Sequence, residues 1–336
     1  MLILSSKEIA KAAEIIKTGG TVAFPAETVY GLGANAFDRQ AVAKIFKAKG
    51  RPSDNPFIVH VSSYEMLHTI IKDPPDIAKK LMNLFWPGPL TLILKAKESM
   101  PDTITGGFDT AAVRMPDHDI ALALIREAGV PIAAPSANIS GRPSPTKATH
   151  VLKDLDERID AIIMGEDCRI GIESTMLDLT VTPPAVLRPG GLSVEEIIEC
   201  IGEVVILEES ANAPGMRYTH YSPETRLILV EGGRSSVIAE IKSIIQNYHK
   251  QGLRVGALVS HESSQVIECD EKYILGSINN LKEVASRLFS GLRFLDDAGV
   301  DVGIAEGIFP EVREGKAIMN RLRRAAEENV RCSNDK

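Results

Sequence analysis

An apolar strand followed by a polar loop occupies residues 21–33, which run Thr21-Val22-Ala23-Phe24-Pro25-Ala26-Glu27-Thr28-Val29-Tyr30-Gly31-Leu32-Gly33. The strand pattern ends at Pro25, because proline has no backbone N–H to donate to a neighbouring strand. Polar side chains follow at once, and α/β proteins bind their ligands in loops at strand ends. The stretch therefore predicts an α/β fold with a ligand-binding loop over residues 25–33.

Strands and helices alternate along the remainder of the first 208 residues. Further strand patterns lie at 90–94, 111–114, 132–134, 161–164, 176–179 and 185–187. Helical patterns lie at 38–50 and near 76–85, 119–128, 146–155 and 194–201. Some strands follow one another with no helix between them, which indicates antiparallel neighbours beside parallel ones. We expect residues 1–208 to form an α/β domain with a mixed, twisted, open sheet.

A second, smaller domain is predicted after a linker. Residues 209–225 are rich in small residues, proline and glycine, a composition typical of linkers. From residue 226 to 336 strands and helices alternate more regularly. This pattern predicts a Rossmann-like, three-layer α/β domain with parallel strands.

Composition and charge limit the classes of function. The chain has 336 residues, of which 44% are hydrophobic and 25% charged, as in ordinary globular proteins. Lysine and arginine number 38 and acidic residues 45, for a net charge of −7. A field that is basic over the whole molecule is therefore absent, which argues against passive coating of nucleic acid. Any anion site must be built locally from a few placed cations.

Cysteine spacing and hydropathy indicate the cellular compartment in which the protein works. The four cysteines, Cys168, Cys200, Cys269 and Cys332, form no CxxC pair. The sequence has no apolar run of membrane-spanning length, and its first residues lack the basic flank and apolar core of a signal peptide. We expect reduced thiols, no membrane association and a cytoplasmic location.

The loops after predicted strands and helices carry the candidate site, although standard nucleotide signatures are missing. The sequence contains no GxxxxGK[ST] motif, and Gly31-Leu32-Gly33 lacks the third glycine of GxGxxG. Lys49-Gly50-Arg51 by itself is better explained as a helix end with cations near the negative pole of the dipole than as a ligand site. Ser136-Ala137-Asn138 by itself can be a turn that satisfies its own backbone.

Two charged or titratable residues lie inside apolar strand patterns. Arg114 ends the run Ala111–Arg114, and a buried arginine requires an anion partner. That partner is either an acidic residue of the fold or a bound carboxylate, and the sequence leaves both open. His60 follows Ile58 and Val59, a setting more typical of a core histidine than of a ligand.

Taken together, these loops resemble one family, the YrdC-domain proteins. The pair Lys49-x-Arg51 and Ser136-x-Asn138 is similar to the family's K-x-R and S-x-N motifs. The resemblance continues in order through residues 25–33, 49–56, 86–91, 114–116, 136–141, 173–175 and 187–190. The linker resembles the segment that precedes the additional C-terminal domain of the longer members. Ala26 and Met176 depart from the residues usual in the family, threonine and valine.

The resemblance implies an L-threonylcarbamoyladenylate synthase. Such an enzyme is a nucleotidyltransferase that joins L-threonine, bicarbonate and ATP to give threonylcarbamoyl-AMP, pyrophosphate and water. The product supplies the threonylcarbamoyl group for adenosine 37 of tRNA, and other proteins complete that transfer. The reaction itself does not need bound tRNA, and a direct tRNA contact stays open.

The resemblance also implies which residues form the site. The catalytic set is Lys49, Arg51, Ser136 and Asn138. The ATP-binding set is Lys49, Arg51, Asn55, Thr110, Ser136, Asn138, Ser144, Arg188 and Tyr221. The threonine-binding set is Thr28, His60, Arg114, Ser174 and the backbone of Ala134. We expect Mg²⁺ to accompany ATP, held mainly by phosphates and water without protein ligands, and no organic cofactor. The linker is expected to fold over the pocket as a lid, with Tyr221 against the nucleotide.

Two other functions compete with the synthase. A double-stranded RNA-binding protein can use the same domain, but the acidic net charge argues against it. The carbamoyl-adenylating domain of hydrogenase maturation proteins shares the fold, but those chains are much longer and carry zinc-finger modules that this cysteine spacing excludes. The basic residues of 313–324 are interpreted as a solvated helix face in preference to a contact with tRNA or a partner protein.

Overall fold

The computed structural model describes residues 1–51, 55–207 and 221–333. The chain divides into two compact units. The first comprises residues 1–140 and 144–218, and the second comprises residues 141–143 and 219–336. Residues 209–220, which make up most of the predicted linker, lie outside the described residues, so the boundaries at 208 and 225 stay predictions. Within the described ranges, no helix is long and apolar enough to cross a membrane.

The first unit is built on a mixed sheet, as predicted. In its described part the strands are β1 (Leu2–Leu4), β2 (Val22–Phe24), β3 (Gly31–Asn35), β4 (Ile58–His60), β5 (Leu90–Lys95), β6 (Thr110–Arg114), β7 (Ile132–Ala133), β8 (Ala161–Ile163), β9 (Thr175–Asp178), β10 (Ala185–Arg188) and β11 (Val205–Ile206). Their order across the sheet is β1-β8-β2-β3-β7-β4-β6-β5-β9-β10-β11. Parallel pairs such as β4–β6 and β5–β9 alternate with antiparallel pairs such as β5–β6 and β9–β10.

Helices cover the sheet unequally on its two faces. The helices of this unit are α1 (Ile9–Lys17), α2 (Arg39–Lys49), α3 (Tyr64–Leu67), α4 (Asp76–Phe85), α5 (Asp102–Thr105), α6 (Asp119–Ala128), α7 (Ala148–Leu155) and α8 (Val194–Ile201). One face carries the main core with α2 and α4. On the other face, α1 and α6 cover β2, β7 and β8, while β5, β6, β9 and β10 carry only a small apolar cluster. That second face is where the candidate site lies.

The predicted loop at residues 25–33 is only partly a loop. Gly31, Leu32 and Gly33 belong to β3, which pairs antiparallel with β2. A Cβ atom at Gly33 would lie 2.7 Å from both the Phe24 ring and the Ile132 side chain. Glycine at this position therefore lets β3 pass close beneath these side chains. The prediction that these glycines are loop residues was wrong, and the ligand loop narrows to residues 25–30.

The second unit has a parallel five-stranded sheet in its described part, as predicted. Its strands are β12 (Arg226–Glu231), β13 (Val255–Ser260), β14 (Glu271–Gly276), β15 (Val302–Gly307) and β16 (Glu328–Arg331), in the order β14-β13-β15-β12-β16. Its helices are α9 (Arg234–Lys250), α10 (His261–Ser264), α11 (Leu281–Ala298) and α12 (Glu314–Ala325). Helix α9 packs on one face. Helix α11 packs on the other, where Cβ atoms at Gly256 and Gly303 would lie 2.7 and 2.6 Å from Leu295.

Helix α12 corrects the interpretation of the basic stretch near the C-terminus. Arg321 is fully buried, and Arg323 forms ion pairs with Glu231 at 2.6 Å and Glu311 at 2.5 Å. These two arginines hold the second unit together and do not form a solvated face. Charge counting missed this because it does not show which acidic side chains the fold brings opposite.

Helix α2 allows a first test, because it ends at a candidate catalytic residue. The Asp38 carboxylate caps its start by accepting from the backbone N–H groups of Gln40 at 2.9 Å and Ala41 at 3.1 Å. We predict that Asp38→Ala lowers the free energy of unfolding by about 1 kcal/mol, measured by urea denaturation. Asp38→Asn keeps the cap and serves as the control. Equal stability of the alanine variant and the wild type would contradict this role.

Candidate active site

Strand register places several predicted site residues in one buried row across the second face of the sheet. His60 at the end of β4 pairs with Arg114 at the end of β6. The β5–β6 register pairs Leu92 with Val113, so Thr91 lies beside Arg114. Thr91 in turn pairs with Met176 of β9, and Met176 pairs with Arg188 of β10. With a strand spacing of ~4.8 Å, this row spans ~19 Å from His60 to Arg188.

A bulge in β10 brings Arg188 into this row. The β9–β10 register shifts between Val186 and Arg188, so that Arg188 faces Met176. Without the extra residue, Leu187 would pair with Met176 and Arg188 would point to the opposite face. Successive side chains of a strand point to opposite faces of the sheet. The bulge therefore places the Arg188 side chain on the face that carries the site.

Arg114 is 3% exposed, and the fold supplies its anion partner. Its Nη2 forms an ion pair with Oε1 of Glu27, which is 1% exposed. Nη1 donates to the Thr28 hydroxyl at 2.9 Å, and Nε donates to the Gly88 carbonyl at 3.0 Å. Of the two partners that the sequence left open, the structure therefore shows an acidic residue of the ligand loop itself.

His60 lies next to Arg114 as a neutral imidazole. Burial, together with the nearby Arg114 charge, lowers the pKa of His60 to about 3. Its ring meets the Phe24 ring edge-on, with 6.3 Å between centroids. His60 is 6% exposed, which agrees with the interpretation as a core histidine. Its ring also lies beside Arg114 of the predicted threonine-binding set.

Ser174 and Arg188 are joined at the far end of the row. The Arg188 guanidinium donates to the Ser174 carbonyl, with Nη2 at 3.0 Å. The Ser174 hydroxyl lies 2.7 Å from the Thr91 hydroxyl. Gly190 makes this approach feasible, since a Cβ there would lie 2.3 Å from the Glu173 carbonyl oxygen. The Arg188-Pro189-Gly190 motif therefore packs directly on the residues before β9.

Ser144 joins the same region through a carboxylate. Its hydroxyl donates to Oε1 of Glu173 at 2.6 Å, and both residues are buried. Glu173 is consequently a fixed part of this end of the site.

Lys49 ties the end of α2 to the loop after β7. It is 1% exposed, and its ammonium donates to the backbone carbonyls of Ser136 and Asn138, the latter at 2.5 Å. The Lys49 carbonyl accepts from the backbone N–H of Ser140 at 2.8 Å. The K-x-R and S-x-N motifs are thus in contact, as the resemblance implied, and the contact runs through backbone carbonyls.

Arg51, Asn55 and Thr110 gather at the other end of the same strands. Arg51 Nη2 donates to the Pro56 carbonyl at 3.0 Å, and the guanidinium lies 5.2 Å from the centre of the Phe57 ring. Continuing the β4–β6 register by two residues places Pro56 level with Thr110. Thr110 and Arg114 share a face of β6 and lie ~13 Å apart along it, so the two ends of the site are about that far apart.

Two further predicted residues are located as follows. Ala134 follows β7 and donates its backbone N–H to the Ile58 carbonyl at 3.0 Å, between the two ends. Tyr221 belongs to the second unit, where its ring packs against Phe289 with 5.2 Å between centroids and against the Arg321 guanidinium at 5.7 Å. It is 7% exposed, and its contact with nucleotide stays a prediction.

Sequence reasoning missed the residues that hold the site residues in place. Glu27 and Thr91 stand within the quoted motifs but received no role. The signal for Glu27 was a charged residue beside a threonine in a loop that follows an apolar strand. Its pairing with Arg114 joins residues 87 positions apart, which no local pattern reveals.

The geometry defines a class of protein, an α/β protein with buried arginines and hydroxyl groups on one sheet face. Comparison with family models makes this specific. The Sua5_yciO_yrdC model, described as telomere recombination, matches residues 14–190. The Sua5_C model, described as the C-terminal domain of threonylcarbamoyl-AMP synthase, matches residues 192–327. The chain belongs to the Sua5/YrdC family, in the form that carries the additional C-terminal domain.

Relatives match over nearly their whole length. The threonylcarbamoyl-AMP synthase of Pyrococcus abyssi is 51% identical over 94% of this chain and 93% of its own. That of Bacillus subtilis is 47% identical over 97% of this chain and 94% of its own. The crystal structure of P. abyssi Sua5 complexed with L-threonine superposes with a TM-score of 0.94 and 48% identity, covering 99% of this chain and 100% of that one.

The neutral state of His60 predicts how stability depends on pH. Below pH 6.5 the unfolded chain binds a proton on this side chain, whereas the folded chain stays neutral down to about pH 3. The free energy of unfolding should therefore fall by up to ~1.4 kcal/mol per pH unit between these values on account of His60. Urea denaturation of the wild type and of His60→Gln from pH 7 to pH 4.5 measures this. The wild type should lose more stability than the variant, and parallel curves would refute the assignment.

Proposed function

We propose that this chain joins L-threonine, bicarbonate and ATP to give threonylcarbamoyl-AMP, pyrophosphate and water. The observation that carries the proposal is the row of buried cations on one sheet face, with Arg114 beside His60 at one end and Arg188 at the other. Lys49 and Arg51 lie farther along the same strands. Relatives that match over more than nine-tenths of the chain bear the name of this synthase, and one of them was crystallised with L-threonine.

The Arg114 end suits an amino acid. A guanidinium binds a carboxylate with two parallel hydrogen bonds, and Arg114 is buried where such an ion pair is strong. Neutral His60 adds a polar edge without a second charge. Thr28 contacts Arg114 directly, and the Ser174 hydroxyl contacts Thr91, which lies beside Arg114. We assign Thr28, Ser174 and the backbone of Ala134 to the threonine pocket.

The Lys49 end suits a polyphosphate. Lysine binds phosphate as a compact point charge, whereas the planar guanidinium of arginine can donate two parallel hydrogen bonds to it. We assign Lys49, Arg51, Ser136 and Asn138 to catalysis. We assign Arg188 to the nucleotide site as well. Four neutral residues complete that site: Asn55, Thr110, Ser144 and Tyr221.

The chemistry requires charge neutralisation more than a general base. The threonine amine and bicarbonate condense to a carbamate with loss of water. A carbamate oxygen then forms a bond to the α-phosphorus of ATP as the bond to the pyrophosphate oxygen breaks. Fixed cations lower the repulsion between the two anions and stabilise the charge that develops on the leaving pyrophosphate.

Magnesium enters this scheme as part of the nucleotide substrate. Among the described residues, no cluster of three or more histidine, cysteine, aspartate or glutamate side chains could hold a metal ion. The ammonium of Lys49 and the guanidinium of Arg51 bind phosphate oxygens and repel cations. We therefore assign Mg²⁺ to the phosphates and water, where it neutralises charge.

The fate of the product and the role of the linker complete the proposal. The mixed anhydride reacts readily with water, so a lid over the site would preserve it for transfer to adenosine 37 of tRNA by other proteins. The segment proposed for this lid, residues 209–225, lies largely outside the described residues. A cytoplasmic location fits an enzyme that supplies a tRNA modification, and it stays a prediction.

The function is tested by pyrophosphate release. Purified protein with Mg²⁺ and ATP should release pyrophosphate only when L-threonine and bicarbonate are both present, and the adenylate should appear in equal amount by mass spectrometry. Release that needs neither co-substrate would overturn the proposal. Salt-sensitive binding of double-stranded RNA without turnover would favour the competing RNA-binding function.

Arg51 provides the sharpest single-residue test of the nucleotide end. We predict that Arg51→Ala lowers kcat/KM for ATP by about 100-fold or more, because it removes a charge-assisted donor from the developing anion. Arg51→Lys keeps the charge without the fork and should recover only part of the loss. Arg126→Ala, an exposed arginine on α6, controls for loss of charge alone. Turnover by Arg51→Ala close to that of the wild type would remove Arg51 from the catalytic set.

A further inference from the structure

Glu27 is a fully buried carboxylate with no role in the reaction described above. It is 1% exposed, and neither of its oxygens accepts a conventional hydrogen bond among the described residues. Its contact is the ion pair between Oε1 and Nη2 of Arg114. The backbone holds it in place, since the Glu27 carbonyl accepts from the N–H of Ile170 at 2.8 Å. A carboxylate is costly to bury, so this one is retained for what it does to Arg114.

Three contacts from two segments, the loop of Glu27 and Thr28 and the turn at Gly88, fix the Arg114 guanidinium. Glu27 holds Nη2, Thr28 accepts from Nη1 at 2.9 Å, and the Gly88 carbonyl accepts from Nε at 3.0 Å. A guanidinium has five N–H groups in one plane. Nε and Nη1 each use one N–H in a hydrogen bond, and Nη2 is held by the ion pair alone. Among the described residues, N–H groups on both terminal nitrogens therefore have no hydrogen-bond acceptor of their own.

Glu27 acts on a ligand only through Arg114. Its carboxylate oxygens are shielded from solvent, and the ion pair with Arg114 is the contact that links them to the site. Two effects of this ion pair can be separated. Its negative charge offsets the Arg114 charge, which weakens the attraction for an incoming carboxylate. Its position sets the plane and rotation of the fork, which strengthens a two-bond contact that depends on geometry.

We propose that Glu27 is a positioning residue that orients Arg114 for the α-carboxylate of the amino-acid substrate. The inference rests on the proposed function, in which Arg114 clamps L-threonine. The oriented fork makes recognition of the carboxylate strict, and the rest of the substrate is recognised elsewhere in the site. The orienting effect outweighs the offset in charge, because a guanidinium turned away from its ligand loses both hydrogen bonds.

Glu27→Asp separates the two effects. Aspartate keeps the charge, so folding and charge balance are retained, but it withdraws the carboxylate by one methylene. We expect KM for L-threonine to rise about tenfold, with KM for ATP within twofold of the wild type. Glu27→Gln keeps the length but removes the charge and should also raise KM for threonine. A buried carboxylate of the second unit, changed in Glu306→Gln, is the matched control and should leave both KM values unchanged.

Calorimetric binding shows whether the effect concerns the carboxylate. L-Threonine should bind Glu27→Asp about tenfold more weakly than the wild type, whereas L-threoninamide, which lacks the carboxylate, should bind both equally. Threonine affinity of Glu27→Asp equal to the wild type, or tighter binding by Glu27→Gln, would overturn the proposal. Equal weakening for threonine and threoninamide would also overturn it. If the wild type releases no pyrophosphate, the proposed function fails, and these affinities still decide the role of Glu27.

Discussion

The site depends on keeping guanidinium groups charged inside a protein, where each requires a fixed anion or carbonyl partner. Arg114 meets this requirement through Glu27, Thr28 and the Gly88 carbonyl, and Arg188 meets it through the carbonyl of Ser174. Burial makes the charges strong toward an anionic ligand, because little solvent screens them. The same burial requires that the partners come from rigid strand ends and tight loops. The sheet register and the glycines at Gly33 and Gly190 satisfy that requirement.

The local site resolves an apparent conflict with the charge of the chain. A net charge of −7 gives no general attraction for ATP or for a carbamate. Two buried arginines on one sheet face, Arg114 and Arg188, together with Lys49 and Arg51 at the end of α2, supply that attraction locally. Carbonyl oxygens of Pro56, Ser136 and Asn138 hold Arg51 and Lys49 in orientation without cancelling their charge. Arg114 is opposed by the full negative charge of Glu27, which marks it as a group whose direction matters.

The second unit uses arginine in a different way. Arg323 bridges Glu231 and Glu311, and Arg321 is buried against the Tyr221 ring. These contacts stabilise the unit and neutralise the basic stretch that the sequence displays. A run of arginines in a helix therefore has two opposite meanings, a surface for anions or an internal framework, and the acidic residues brought opposite by the fold decide between them.

Local patterns in the sequence determined the fold class. The capping by Asp38, the stop at Gly50 and the apolar runs of β5, β6 and β10 each follow from propensities that act over a few residues. The motifs around Lys49, Ser136 and Arg188 indicate site residues only through their resemblance to one family, and their individual roles stay predictions. Tertiary structure alone decided that β3 begins at Gly31, that a bulge turns Arg188 onto the face of Arg114, and that Glu27 is the partner of Arg114. These features depend on pairing between residues far apart in the chain, where packing and register outweigh local preference.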